Sequence, residues 1–135
     1  MNEPTANNSD SGKSGQAAIY LVDDEPMLLE LAAVILEPLG LSIRTFRDPE
    51  SALRAFSAEG PPPALIITDY AMHTMNGMDL IEACRRLQPA QKILLLSGTV
   101  EERSLRNAPC QPDRFLAKPY QAKQLIDAVR SLLAG

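Results

Sequence analysis

The sequence predicts an open, doubly wound α/β fold with one parallel sheet of five strands, and three observations predict it. Short apolar runs, close to continuous, alternate five times with amphipathic stretches, as strands buried on both faces require. The 135 residues suffice for five such units and fall far short of an eight-unit barrel. Apolar residues make up 45% and charged residues 22%, an ordinary balance for one globular domain with a real core.

Residues 1–16 are rich in Asn, Ser, Gly and Thr without periodicity, and the expectation is a disordered lead-in to a single domain over 17–135. AAIYLV (17–22) reads as a buried strand running into acids. PMLLELAAVILEPL (26–39) has helical periodicity, with Pro26 suited to a first turn and Gly40 to a cap. At 100° per residue, Leu28, Leu31, Ala32, Ile35, Leu36 and Leu39 form a stripe expected to face the sheet. Met27, Leu29, Glu30, Ala33, Val34, Glu37 and Pro38 fall on the opposite arc. That arc holds few charges, so it is also a candidate docking face for a partner.

LSIRTF (41–46) alternates as a strand, and PESALRAFSA (49–58) is helical. ALIITD (64–69) is a second fully apolar strand ending in an acid. After the loop YAMHTMNG a helix is expected from Met78 to Leu87, with Leu80, Ile81, Cys84 and Leu87 inward. KILLLS (92–97) is the next strand, followed by a short polar helix at about 101–107. RFLA (114–117) and QAKQLIDAVRSLLA (121–134) complete the pattern.

In such sheets function gathers at the carboxyl ends of the strands. There the sequence puts Asp23 and Asp24 after the first strand, Asp69 after the third, Ser97 after the fourth and Lys118 after the fifth. Three carboxylates on one edge repel unless a cation joins them. Their oxygens suit a hard ion such as Mg²⁺, which also takes phosphoryl oxygens. Asp69 then serves as a carboxylate nucleophile toward phosphorus, with Lys118 stabilising charge on the transferring oxygens and Ser97 offering a hydroxyl.

Other chemistries fit less well. The net charge of −4 and the scattered basic residues argue against direct nucleic-acid binding. No apolar run is long enough to span a bilayer and no signal peptide is apparent, so a cytoplasmic protein is expected, without membrane insertion. SGKSG (11–15) lacks the earlier glycine of a phosphate loop, Asn7 standing there, and precedes the first strand. Two cysteines make no disulfide framework, and Cys84, Cys110 and His73 lack the spacing of a metal site. Cys84 reads as a small core residue.

VDDE (22–25), ITDYAMHTMNGMDL (67–80), LLLSG (94–98) and FLAKP (115–119) resemble, in order and spacing, the motifs of bacterial response-regulator receiver domains. The resemblance covers residues 17–135 and implies a flavodoxin-like (βα)₅ fold in three αβα layers. It implies that Asp69 is the phosphoacceptor. The metal ligands for Mg²⁺ (or Mn²⁺) would be Asp23, Asp24, Asp69 and the backbone carbonyl of Ala71. Ser97 and Phe115 would form the switch pair, Lys118 would contact the phosphoryl group, and the Lys118–Pro119 peptide would be cis. The implied partners are a histidine kinase or histidine phosphotransfer protein and an unknown downstream protein, with phosphorylation-dependent dimerisation one form the output could take. Such a protein promotes its own phosphorylation and dephosphorylation and is not a conventional turnover enzyme.

The sequence departs from the family at His73, where proline is usual, and at APCQPDR (108–114), which replaces a Gly-Ala-rich approach to the fifth strand. His73 is expected to be a solvent-facing loop residue. Because no segment follows the fifth helix, the expectation is a single-domain regulator or a phosphorelay intermediate, with an excised receiver left open. The alternative reading is a receiver-shaped interaction module that works without phosphorylation.

Overall fold

The computed structural model describes residues 18–58 and 60–134; the expected lead-in over 1–16 and the SGKSG stretch lie outside them. Five strands form one parallel sheet in the order β2-β1-β3-β4-β5. They are β1 (Ala18–Val22), β2 (Ser42–Phe46), β3 (Leu65–Asp69), β4 (Ile93–Ser97) and β5 (Arg114–Ala117), alternating with α1 (Pro26–Leu36), α2 (Pro49–Ser57), α3 (Gly77–Leu87), α4 (Thr99–Leu105) and α5 (Ala122–Ala134). The strand order reverses direction at β1/β3, so the crevice for a ligand opens between the carboxyl ends of those two strands.

The period-2 geometry of the strands divides their side chains between two cores. Ile19, Leu21, Leu65, Ile67, Leu94 and Leu96 point to one face, where Leu29, Ala32 and Leu36 of α1 and Leu125, Ala128 and Val129 of α5 cover them. Tyr20, Val22, Ile66, Ile93 and Leu95 point to the other and meet Ala52 and Phe56 of α2 and Met78, Leu80, Ile81 and Cys84 of α3. The central strands β3 and β4 are buried along their whole length, which explains their unbroken apolar sequence. The edge strands β2 and β5 are only partly covered, and polar residues enter them.

Helix starts follow the side chains available for capping. Asp48 accepts a hydrogen bond from the Ser51 N–H at 2.7 Å at the start of α2. Asn76 and Asp79 bond reciprocally across the first turn of α3, each side chain accepting from the other's backbone N–H. Gln111 donates to the carbonyls of Leu105 and Ala108 at 2.6 and 2.8 Å and so closes α4. Arg85 of α3 grips the same segment, donating to the Gln91 and Gln111 carbonyls and pairing with Asp113 at 2.8 Å. Polar side chains thus organise the APCQPDR stretch (108–114).

Three expectations about helices change. α1 ends at Leu36 and continues as a 3₁₀ turn over Glu37–Leu39, because Pro38 has no N–H for the next helical bond. Gly40 closes the turn at φ 74°, as its position suggests. The buried stripe of α1 is also rotated by roughly 60° from the expected one. Leu29, placed on the solvent arc, is 6% exposed, whereas Leu28 and Leu31, placed inward, are 39% and 51% exposed. The cause is α5: α1 packs in the angle between the sheet and that helix, so its buried face turns toward Leu29, Ala32 and Leu36. In α3, Leu87 is 52% exposed, since it ends the helix and the chain turns away at Gln88.

Candidate functional site

The sheet ladder runs past the formal strand ends and fixes the site. Asp23 N–H donates to the Phe46 carbonyl at 3.1 Å, Tyr70 N–H to Leu96 at 2.9 Å and Lys118 N–H to Ser97 at 3.0 Å. Each chemical residue therefore sits within one residue of a backbone bond to its neighbouring strand. Gly77 completes the frame. A Cβ there would lie 2.6 Å from the Asp69 carbonyl oxygen and 2.7 Å from Leu95 Cδ1, so only glycine lets the start of α3 pass this close behind Asp69.

One carboxylate oxygen each from Asp23, Asp24 and Asp69 lies within 4.8 Å of the other two, and this is the metal-competent group of acids among the described residues. Opposite ligands of an octahedral Mg²⁺ are about 4.2 Å apart, so small side-chain adjustments bring the three into one shell of hard oxygen donors. Ala71 follows two residues after Asp69 in the exposed part of the β3–α3 loop. Asp23 and Asp69 are 6% and 4% exposed.

Burial pushes the Asp23 carboxyl above its usual range, against the Glu25 N–H that it accepts and with the help of the Asp69 charge. Burial also raises Asp69, although Lys118 opposes it. Lys118 Nζ donates to Asp69 Oδ1 at 2.9 Å. Burial alone would lower the Lys118 ammonium, but this bond and the neighbouring acids outweigh it and hold it above its usual value. The acids thus share the Lys118 cation and retain a surplus of negative charge that a divalent ion would neutralise.

Ser97 ends β4 beside this cluster. Its Oγ is fully buried and has no hydrogen-bond partner among the described residues. A buried hydroxyl without a partner costs free energy. Phe115 of β5, in register with Leu95 of β4, is half-buried and packs against the second core. The Lys118–Pro119 peptide is cis. Cys84 is buried with its thiol pushed up to about 12, an inert core residue as expected.

Two features escape a reading of the sequence. His73 is exposed, as expected, but its ring Nδ1 lies 3.0 Å from Asp24 Oδ2. Its place four residues after Asp69 is the available signal. Tyr120 joins Leu28, Leu31, Leu96, Pro119, Asp23 and Lys118 around an open, mostly apolar groove of ≈ 400 Å³ beside the acids. Burial and the charge on Asp23 raise the Tyr120 phenol. The expected stripe of α1 hides this groove, because it assigns Leu28 and Leu31 to the core.

Comparison with known proteins agrees with the geometry. Residues 19–130 match the model of the response regulator receiver domain. The chain is 30% identical over 117 residues to a probable transcriptional regulatory protein, TcrX, of Mycobacterium tuberculosis, covering 85% of this chain and 49% of that protein. It is 29% identical over 121 residues to the sensor kinase CckA of Brucella abortus, covering 89% of this chain and 13% of that one. The chain therefore spans half or less of these relatives. Among solved structures, a response regulator receiver domain protein from Clostridium thermocellum superposes with a TM-score of 0.78 at 25% identity, covering 87% of this chain and 94% of that one. A response regulator receiver protein from Sinorhizobium medicae superposes with 0.77 at 26%, covering 90% and 97%. Fold, acid cluster and sequence agree, and the chain belongs to the response regulator receiver domain family.

Proposed function

We propose that this domain accepts a phosphoryl group on Asp69, in a cytoplasmic two-component or phosphorelay system. The observation that carries the reading is the junction of three clustered carboxylates with an ion-paired lysine, beside a buried hydroxyl without a partner among the described residues. That combination suits a nucleophile held among acids and aimed at a group rich in acceptor oxygens.

A bound Mg²⁺ or Mn²⁺, held by Asp23, Asp24, Asp69 and the carbonyl of Ala71, would neutralise the acids and the charge on the phosphoryl oxygens. An Asp69 carboxylate oxygen forms the new bond to phosphorus. The bond from phosphorus to the donor's imidazole nitrogen breaks, and its electron pair stays on that nitrogen. Lys118, no longer paired with Asp69 alone, stabilises the transferring oxygens. Ser97 Oγ then donates to a phosphoryl oxygen, and Phe115 follows the vacated space, which biases a two-state equilibrium on the α4–β5–α5 face.

The donor in this reading is a histidine kinase or histidine phosphotransfer protein. Its docking surface is the exposed apolar side of α1, Leu28 and Leu31 above all, continued by Pro119 and Tyr120. Output passes to another protein through the α4–β5–α5 face, and a phosphorylation-dependent dimer is one such output. The test is labelling by a small phosphodonor with and without Mg²⁺, in the wild type and in Asp69→Asn. Metal-dependent labelling confined to the wild type supports the proposal. A wild type that stays unlabelled while still binding its partners would favour an interaction module that works without phosphorylation.

A further inference from the structure

Beyond the acids themselves, the β3–α3 loop makes a contact that the phosphoryl chemistry leaves unused. His73 meets Asp24 twice: its backbone N–H donates to Asp24 Oδ2 at 3.1 Å, and its ring Nδ1 lies 3.0 Å from the same oxygen. Both contacts come from one residue and converge on one oxygen of a carboxylate that is otherwise placed to hold a cation. The next residue anchors the loop on its other side, Thr74 Oγ1 donating to Glu50 Oε2 of α2 at 2.6 Å.

A carboxylate that ligates a metal binds best when its remaining oxygen is already fixed by hydrogen bonds, since its orientation is then settled before the ion arrives. Asp24 is held in this way here, with His73 against its Oδ2. A proline at this position would supply neither the backbone N–H nor the ring nitrogen.

We propose that His73 is a positioning residue for the cation site: its backbone N–H and its ring nitrogen hold Asp24 in the ligating orientation and join the β3–α3 loop to metal occupancy. The inference rests on the reading that the acids bind a divalent cation. The test is calorimetric titration of the metal-free protein with Mg²⁺ and Mn²⁺. His73→Ala, which keeps the backbone donor, should weaken binding on the order of tenfold. His73→Pro, which removes the backbone N–H as well as the ring, should weaken it further. His73→Asn places an amide N–H at the distance of Nδ1 and should restore affinity close to the wild type. A role in general loop stability would instead lower the melting temperature of all the metal-free variants without rescue by Asn, and would overturn the proposal.

His73→Ala binding as tightly as the wild type, or more tightly, overturns it too; tighter binding would make His73 a competitor of the metal. Phosphodonor labelling of the wild type keeps the two readings apart. If the wild type binds metal and is labelled while His73→Ala binds unchanged, only the role of His73 falls. If the wild type neither binds metal nor is labelled, both fall.

Discussion

The two sides of the candidate site are unfinished in different ways. On the β1–β3 side every acid already has hydrogen-bond partners: Asp23 accepts from Glu25, Asp24 from His73 and Asp69 from Lys118. What this side lacks is enough positive charge, since three carboxylates share the Lys118 cation. On the β4 side Ser97 Oγ carries no charge and lacks a partner among the described residues. The first deficit calls for a cation and the second for acceptor oxygens. A phosphoryl group held beside a divalent ion answers both at once, and neither deficit alone would single it out.

Changes on the two sides should therefore differ in kind. The largest effect short of removing the nucleophile should come from Lys118→Ala, which takes away the cation paired with Asp69. Phosphotransfer at saturating Mg²⁺ should fall by about 10²–10³-fold in a stopped assay of the labelled protein. Leu31→Arg should act on delivery. Transfer from a phosphohistidine donor should slow on the order of tenfold relative to labelling by a small phosphodonor. Equal slowing with both donors would remove α1 from the docking surface. Leu29 cannot serve in this experiment, because it is part of the core.

Smaller effects concern stability. Gly77→Ala forces a methyl against the Asp69 carbonyl and Leu95, and should cost about 1–3 kcal/mol in denaturant unfolding. The pH dependence tests the charge deficit. Asp23 and Asp69 are raised above the usual 3.8, so between that value and their folded values the folded state holds more protons than the unfolded one. Stability of the metal-free protein should therefore fall as pH rises through that window. Lys118, also raised, contributes at all lower pH and loses its contribution only as pH rises through its folded value, above 10.5. Unfolding melts across the window should show the fall without metal and a flatter profile with saturating Mg²⁺, because the ion binds the ionised acids. A metal-free profile that is already flat would contradict the surplus of negative charge.

Ser97→Ala should have the smallest effect before phosphorylation. It deletes a buried hydroxyl that has no partner among the described residues, so unfolding free energy should change by less than about 1 kcal/mol or increase. Any loss should appear only in the phosphorylated form, as a weaker response of the α4–β5–α5 face measured by amide exchange.

The sheet and the site are legible in the sequence for the same reason: strands buried on both faces leave a continuous apolar record, and the acids interrupt it at the strand ends. Asp69 ends β3 as expected, Asp23 and Asp24 follow β1, and Ser97 and Lys118 adjoin them. Helix faces are harder to read. In α1 a stripe through Leu28 and Leu31 is as apolar as one through Leu29 and Ala32, and only the presence of α5 selects the second. The same limit hides Arg85, whose grip on Gln111 and Asp113 depends on a loop 26 residues away. His73 and Asp24 are 49 residues apart in the chain, and no local pattern reports such a pair.

The most direct test of the account locates the phosphoryl group. The wild type is incubated with a small phosphodonor, with Mg²⁺ or with a chelator, and the modified residue is identified by peptide mass spectrometry. The expected result is a single added phosphoryl group on Asp69 that requires the metal and is absent from Asp69→Asn. A group mapped to another residue, or labelling of Asp69→Asn at the wild-type level, would contradict it.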